Sequence, residues 1–323
     1  QMSNTDTVYK YGVPYTEGGP GSGHWGHAGN PPNRGGSAPG GGKQYRVWTG
    51  GKYIGIGQID RSDTALVTRV LSDMYDEIGT KRRRLHKEVR RLHDELYKAL
   101  SDSWRSGLSD EERRAATDRA VTLQEKAEKK QRTLQALVDL GLKRSHQVLY
   151  APNGKADIRV TTRMQFARDG VEFVRKVVGS GTPLDGKRVT VRRDSHRVRS
   201  HYDPYFQTAY VGRGAGIDAA VHEVGHWVEH RGQLYARAHG FLDSRTKGEP
   251  VRWLGDLRPQ SERGKRDKFM NPYMGRVYEH NDATEIVSMG LEYLYTRPME
   301  FAKKDPEYVK WLLDTVRTQR GQE

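Results

Sequence analysis

A chain of 323 residues with 34% hydrophobic side chains and 36 glycines is long enough for one large domain or two ordinary ones, but so poor in apolar residues that part of it is expected to stay outside any core. Its 55 Lys and Arg against 41 Asp and Glu leave a net charge of +14, which favours acidic partners such as nucleic acid and says nothing about fold. The absence of cysteine excludes disulfides, thiol nucleophiles and thiolate metal sites, so any metal must be held by nitrogen and oxygen.

Residues 1–44 read as a flexible Gly/Pro-rich arm, because the stretch 17–43 cannot bury enough apolar surface to offset chain entropy. His24 and His27 in this arm are spaced like a metal pair but lack a preorganised shell, and Lys43 does not complete a phosphate loop because Gln44 follows it. A second unit is expected over 45–150. It opens with a β-hairpin, in which Tyr45–Thr49 and Lys52–Ile56 flank the turn pair Gly50-Gly51. From about Asp63 to Trp104, Leu71, Met74, Ile78, Leu85, Val89, Leu92 and Leu96 step by three and four, which predicts a long amphipathic helix. Ser109 with Glu112 reads as a capping box opening a second helix that runs to Gly141, giving an antiparallel helical hairpin. Lys81 to Arg91 is a basic run on the first helix; it is read as a solvated face, with phosphate-backbone binding as the sharper alternative.

A third unit, 151–323, alternates short strands with helices: strands at 158–162, 188–191 and 208–211, and helices at 164–178, 216–231, 281–295 and 305–318. Within the helix at 216–231 stands His222-Glu223-Val224-Gly225-His226, an H-E-x-x-H pattern that chance would place in such a chain about 0.03 times. Ile217, Val221, Val224 and Val228 form a buried stripe on this helix. The two histidines lie about 40° apart on another face. They supply half a zinc shell, and Glu223 between them is the carboxylate that would take a proton from water and hand it to a leaving amine.

The third ligand must come from elsewhere, because Glu229 and Gly232 stand where an extended metzincin pattern needs glycine and histidine. A carboxylate on the downstream helix is indicated, Glu285, with Glu292 farther along the same stripe as its rival. With these residues the chain resembles the gluzincin zinc peptidases, in which two histidines of one helix and a glutamate of a later one hold Zn²⁺; the resemblance assigns Glu285. The HEVGH form, with Tyr278 seven residues ahead of Glu285, is most similar to the anthrax lethal-factor-type catalytic domain. That similarity implies that Tyr278 stabilises the oxyanion. The glycine arm and roughly residues 190–318 also resemble phage head-morphogenesis proteins and their fused cargo domains.

Where many gluzincins carry an aspartate that orients a zinc histidine, this chain has Met289, so Asp218 or Asp282 is expected to serve His222. His230 is too far along the helix to share the metal and takes a supporting or surface role. Gln207–Gly212 resembles the edge strand along which peptidases of this clan align substrate, with an ordinary internal strand as the alternative. The expected architecture is α+β: a zincin-like metallopeptidase domain preceded by a long α-helical hairpin and a Gly-rich arm. The expected activity is that of a zinc-dependent endopeptidase hydrolysing peptide bonds of a protein or peptide substrate, in a phage or prophage setting. A virion structural protein with a degenerate zinc site, or a nucleic-acid-binding protein, is the alternative. With no long apolar run and no signal-like start, a cytoplasmic or virion-associated location without a membrane partner is expected.

Overall fold

The computed structural model describes residues 8–10, 13–15, 46–254, 262–279 and 282–321. Apart from two short paired strands, β1 (Val8–Lys10) and β2 (Val13–Tyr15), the arm with His24 and His27 lies outside the described residues, as does Asn281.

The hairpin β3 (Arg46–Thr49) and β4 (Lys52–Gly55) forms where expected, turning on Gly50 and Gly51 at φ 55° and 78°, which glycine adopts without steric cost. It packs on the first turns of α1 (Thr64–Ser103), a 40-residue helix capped by Asp63, whose carboxylate accepts from the Leu66 amide at 3.0 Å. The capping box of α2 (Asp110–Leu149) has both halves: the Glu112 amide donates to Ser109 Oγ at 3.2 Å and the Ser109 amide to Glu112 Oε2 at 2.8 Å. The second helix does not stop at Gly141, as the spacing suggested. A Cβ there would lie 2.5 Å from Ile78 Cδ1, so glycine serves a close crossing with α1, and the helix runs on to bury Val148 and Leu149 in the core.

Beyond the hairpin come β5 (Arg159–Thr161), α3 (Gln165–Val178), β6 (Arg188–Asp194), β7 (His201–Asp203) and β8 (Thr208–Gly212). They build a four-stranded sheet in the order β5-β6-β8-β7, parallel except for β7, which pairs antiparallel with β8 at the edge. The internal alternative therefore holds for residues 208–212, and the edge belongs to the three-residue β7. After the sheet follow α4 (Ile217–Arg231), α5 (Tyr235–Arg245), the paired β9 (Arg252–Trp253) and β10 (Arg263–Gly264), α6 (Ile286–Thr296), α7 (Pro298–Lys304) and α8 (Pro306–Val316). The whole is α+β.

One hydrophobic core runs from Val67, Val70 and Leu71 at the base of α1 through α3, the sheet and α4 to α6 and α8, crossing residue 150 without a break. A smaller cluster of Leu92, Ala99, Ala120, Leu123 and Ala127 seals the outer part of the helical hairpin. Among the described residues no helix is long and apolar enough to cross a membrane.

Candidate metal centre

The apolar stripe of α4, with Val221, Val224, Trp227 and Val228 buried, fixes this helix on the core and turns His222, Glu223 and His226 toward a cleft of about 690 Å³. Helix α6 is buried on nearly every side and meets α4 at Gly225, where a Cβ would stand 2.6 Å from Ser288 Cα. The glycine inside the H-E-x-x-H pattern thus lets the two backbones touch. That contact brings Glu285 onto the histidines.

The downstream helix starts later than its periodicity suggested, at Ile286, with Glu285 in the capping position and its carbonyl accepting the Met289 amide. Thr284 takes the chain out of helical geometry: its hydroxyl accepts from the Ile286 amide at 3.1 Å and donates to Glu229 of α4, while its amide donates to Glu229 Oε2 at 3.2 Å. Glu229 is fully buried and ties the start of α6 to α4.

His222 Nε2 lies 3.1 Å and His226 Nε2 3.3 Å from Glu285 Oε2, and one ligand atom from each of the three residues falls within 4.8 Å of the others. A tetrahedral centre with ~2.1 Å bonds separates its ligand atoms by about 3.4 Å, so the spacing fits a small ion. The donor set, two imidazole nitrogens and a carboxylate, is one that could hold a metal. Both imidazoles present Nε2 inward. Their other nitrogens face carboxylates, His222 Nδ1 at 2.8 Å from Glu292 Oε2 and His226 Nδ1 at 4.0 Å from Glu229 Oε2. A partner at hydrogen-bond distance, as at His222, fixes the tautomer and orientation of a metal histidine, whereas Glu229 acts on His226 through its charge.

Neither Asp218 nor Asp282 performs that service for His222. Glu292, considered above as a rival third ligand, does: it sits seven residues, about two turns, after Glu285 on the same side of α6. Asp218 lines the cleft with Oδ1 buried, and burial together with Glu292 pushes its carboxyl up to about 6. Asp282 contributes its carbonyl, 2.9 Å from His239 Nε2. His230 is a support: its Nδ1 lies 2.9 Å from the hydroxyl of Tyr202 on edge strand β7.

Glu285 is held from three sides. Ser288 Oγ donates to Oε2 at 2.9 Å, the Tyr278 hydroxyl donates to Oε1, and the Arg276 guanidinium lies 3.8 Å from Oε1 and 4.2 Å from the centre of the Tyr278 ring. Burial disfavours its charge, but His226 and His222 outweigh that and hold it well below the usual carboxylate range. The Glu223 carboxyl, 5% exposed and facing the same cleft, is raised by burial, with His222 and His226 pulling the other way. Burial and Glu285 raise the Tyr278 phenol far above its ordinary value, so it stays a donor. Glu229, Arg276 and Ser288 escaped the sequence reading; the one available signal was Glu229, a carboxylate three residues after His226 in a helix that otherwise packs apolar faces.

Burial disfavours a charged His226, but Glu285 and Glu229 overcome it and raise the imidazole to about 9. An entering ion must therefore displace protons, and metal affinity is expected to rise with pH up to about 9. The gain is about tenfold per pH unit for each proton displaced. Calorimetric titration of the metal-depleted chain with Zn²⁺ in buffers of different ionisation enthalpy measures the protons released; a pH-independent affinity would contradict this.

No protein-family model, no curated protein and no solved structure matches the chain.

Proposed function

We propose that the chain is a zinc-dependent endopeptidase of gluzincin type, with His222, His226 and Glu285 as ligands and a zincin-like arrangement of α4 and α6. The observation that carries this reading is the convergence of two Nε2 atoms and one carboxylate oxygen beside a carboxylate, Glu223, that comes from the same helix turn and makes no hydrogen bond to the three. Zinc held there supplies Lewis acidity, lowering the pKa of water towards 7 and polarising a carbonyl.

The chain's own residues do the rest. Glu223 accepts the proton of the attacking water and delivers it to the amine that leaves; its upward-shifted carboxyl suits both transfers. Glu292 orients the His222 imidazole, Glu229 places its charge behind His226, and Ser288 orients Glu285. Tyr278 holds Glu285 before reaction and turns its hydroxyl to the oxygen that gains negative charge, a donation worth about 3 kcal/mol in such sites. A substrate that enters this open cleft between β7 and α6 is a peptide segment, and the resemblance to phage head proteins suggests a virion protein as its source. The degenerate-site alternative drew on Met289, and Glu292 on His222 weakens that argument.

The test is hydrolysis of a proteome-derived peptide library by the zinc-loaded chain, read by mass spectrometry. New termini that vanish on chelation and return with Zn²⁺ are expected; no new termini at any pH from 6 to 9 would count against the reading.

A further inference from the structure

The basic run of α1 does not stand alone in space. Residues 81–91 carry seven Lys and Arg and one carboxylate, and residues 126–132 of α2 carry four and one, so these 18 residues hold nine of the chain's net +14. The hairpin lays the two segments side by side, as the 2.7 Å contact of Lys130 Nζ with Glu88 Oε2 shows. Toward the tip the sign reverses: residues 92–125 carry eight carboxylates against five Lys and Arg. The charge is thus gathered into a band about 15 Å long on two rigid helices. It lies away from the metal centre, which none of its residues lines.

The band is open to solvent. The side chains of Arg84, Arg91 and Arg132 are 84%, 71% and 72% exposed. Their ion pairs with Glu88, Glu95 and Glu128 are surface contacts at 3.5 to 3.8 Å, of the kind worth little and easily exchanged for a phosphate. Lys87, Arg90, Lys126 and Lys129 are exposed with no carboxylate pairing them among the described residues. The band has no Phe, Tyr or Trp on which an unpaired base could stack, which separates it from surfaces that hold single strands. A rigid row of cations without stacking groups matches a closely spaced line of phosphates, and double-stranded DNA offers one per ~1.7 Å of duplex axis.

We infer that the middle of the helical hairpin, Lys81–Arg91 with Lys126–Arg132, is a docking surface for the phosphate backbone of duplex DNA, independent of sequence and separate from the metal centre. This does not rest on the peptidase reading.

The experiment is fluorescence anisotropy of the full chain with two unrelated 20-base-pair duplexes between 50 and 200 mM NaCl. Both duplexes should bind alike, with affinity falling roughly 10²-fold over that range for four or five phosphates contacted. The triple variant Arg83→Glu, Lys87→Glu, Arg90→Glu should lose at least ~10-fold in affinity at 100 mM NaCl and shed about three phosphates' worth of salt slope. It should keep wild-type zinc content and melting temperature. The same charge change at the tip, Arg105→Glu, Arg114→Glu, Arg119→Glu, should leave binding within about threefold, because it adds no repulsion where the phosphates sit. Failure to bind at 50 mM NaCl, equal losses in both triple variants, or tighter binding of a single strand than of the duplex would each overturn the inference.

Discussion

Replacing Glu223 by Gln is expected to leave one zinc per chain and an unchanged or slightly higher melting temperature, while peptide hydrolysis falls by about 10³-fold. The retention of metal follows from geometry. The ligand atoms proposed are those of His222, His226 and Glu285, and the contacts on them come from Glu292, Ser288 and Tyr278, none from Glu223. The stability follows from desolvation, since Glu223 is 5% exposed and burial opposes its charge, a cost that a neutral amide of the same shape does not carry. The activity falls because an amide can neither take a proton from water nor deliver one to the leaving amine. Turnover within tenfold of wild type at full zinc content would remove Glu223 from its role, and loss of zinc would make it a ligand.

Gly225→Ala has the second large effect. The new methyl would meet Ser288 Cα at 2.6 Å and Ser288 N at 3.3 Å, and backbone cannot swing aside as a side chain can. Overpacking of this kind costs about 1–3 kcal/mol. The helix-propensity gain of Ala over Gly returns up to about 1 kcal/mol, so the net expectation is a loss. Because Ser288 Oγ holds Glu285 Oε2, separating α4 from α6 also draws the carboxylate from the histidines, and zinc affinity should fall about 10–100-fold. Gly240→Ala on α5 is the control: nothing stands within 4 Å of its Cβ, so the same substitution should stabilise the chain by about 0.5–1 kcal/mol and leave zinc affinity alone. Denaturant melts and competitive zinc titration read both. Equal behaviour of the two variants would show that the α4–α6 contact does not set the site.

Much of this site was legible because its parts repeat with the helix period. His222 and His226 stand one turn apart, and the valine stripe marks the opposite side of the same helix, so one short segment displays both its packing and its chemistry. Glu285 was legible as a carboxylate on a later helix, but not as the residue that precedes its first turn, because that depends on Thr284 bonding Glu229, a contact across 55 residues. Glu292 was visible only as a rival to Glu285: which of two glutamates on one face meets both imidazole Nε2 atoms and which meets the far side of one histidine is decided by how closely the helices approach, and Gly225 sets that distance. The edge strand β7 is three residues long and shows no alternation to detect, so the edge role could be weighed only for residues 207–212, where the internal alternative turned out to hold. The helical hairpin was legible for the same reason as α4, except at Gly141, where a glycine that admits Ile78 looks in sequence like a terminator.

The most direct test of the account is the metal content of the purified chain, by elemental analysis, for wild type and for His222→Ala. The account predicts about one zinc per chain in wild type and a loss of it in the variant, since the site has only three protein ligands and loses one. Little zinc in the wild type after reconstitution at pH 8, or equal zinc in both proteins, would contradict it.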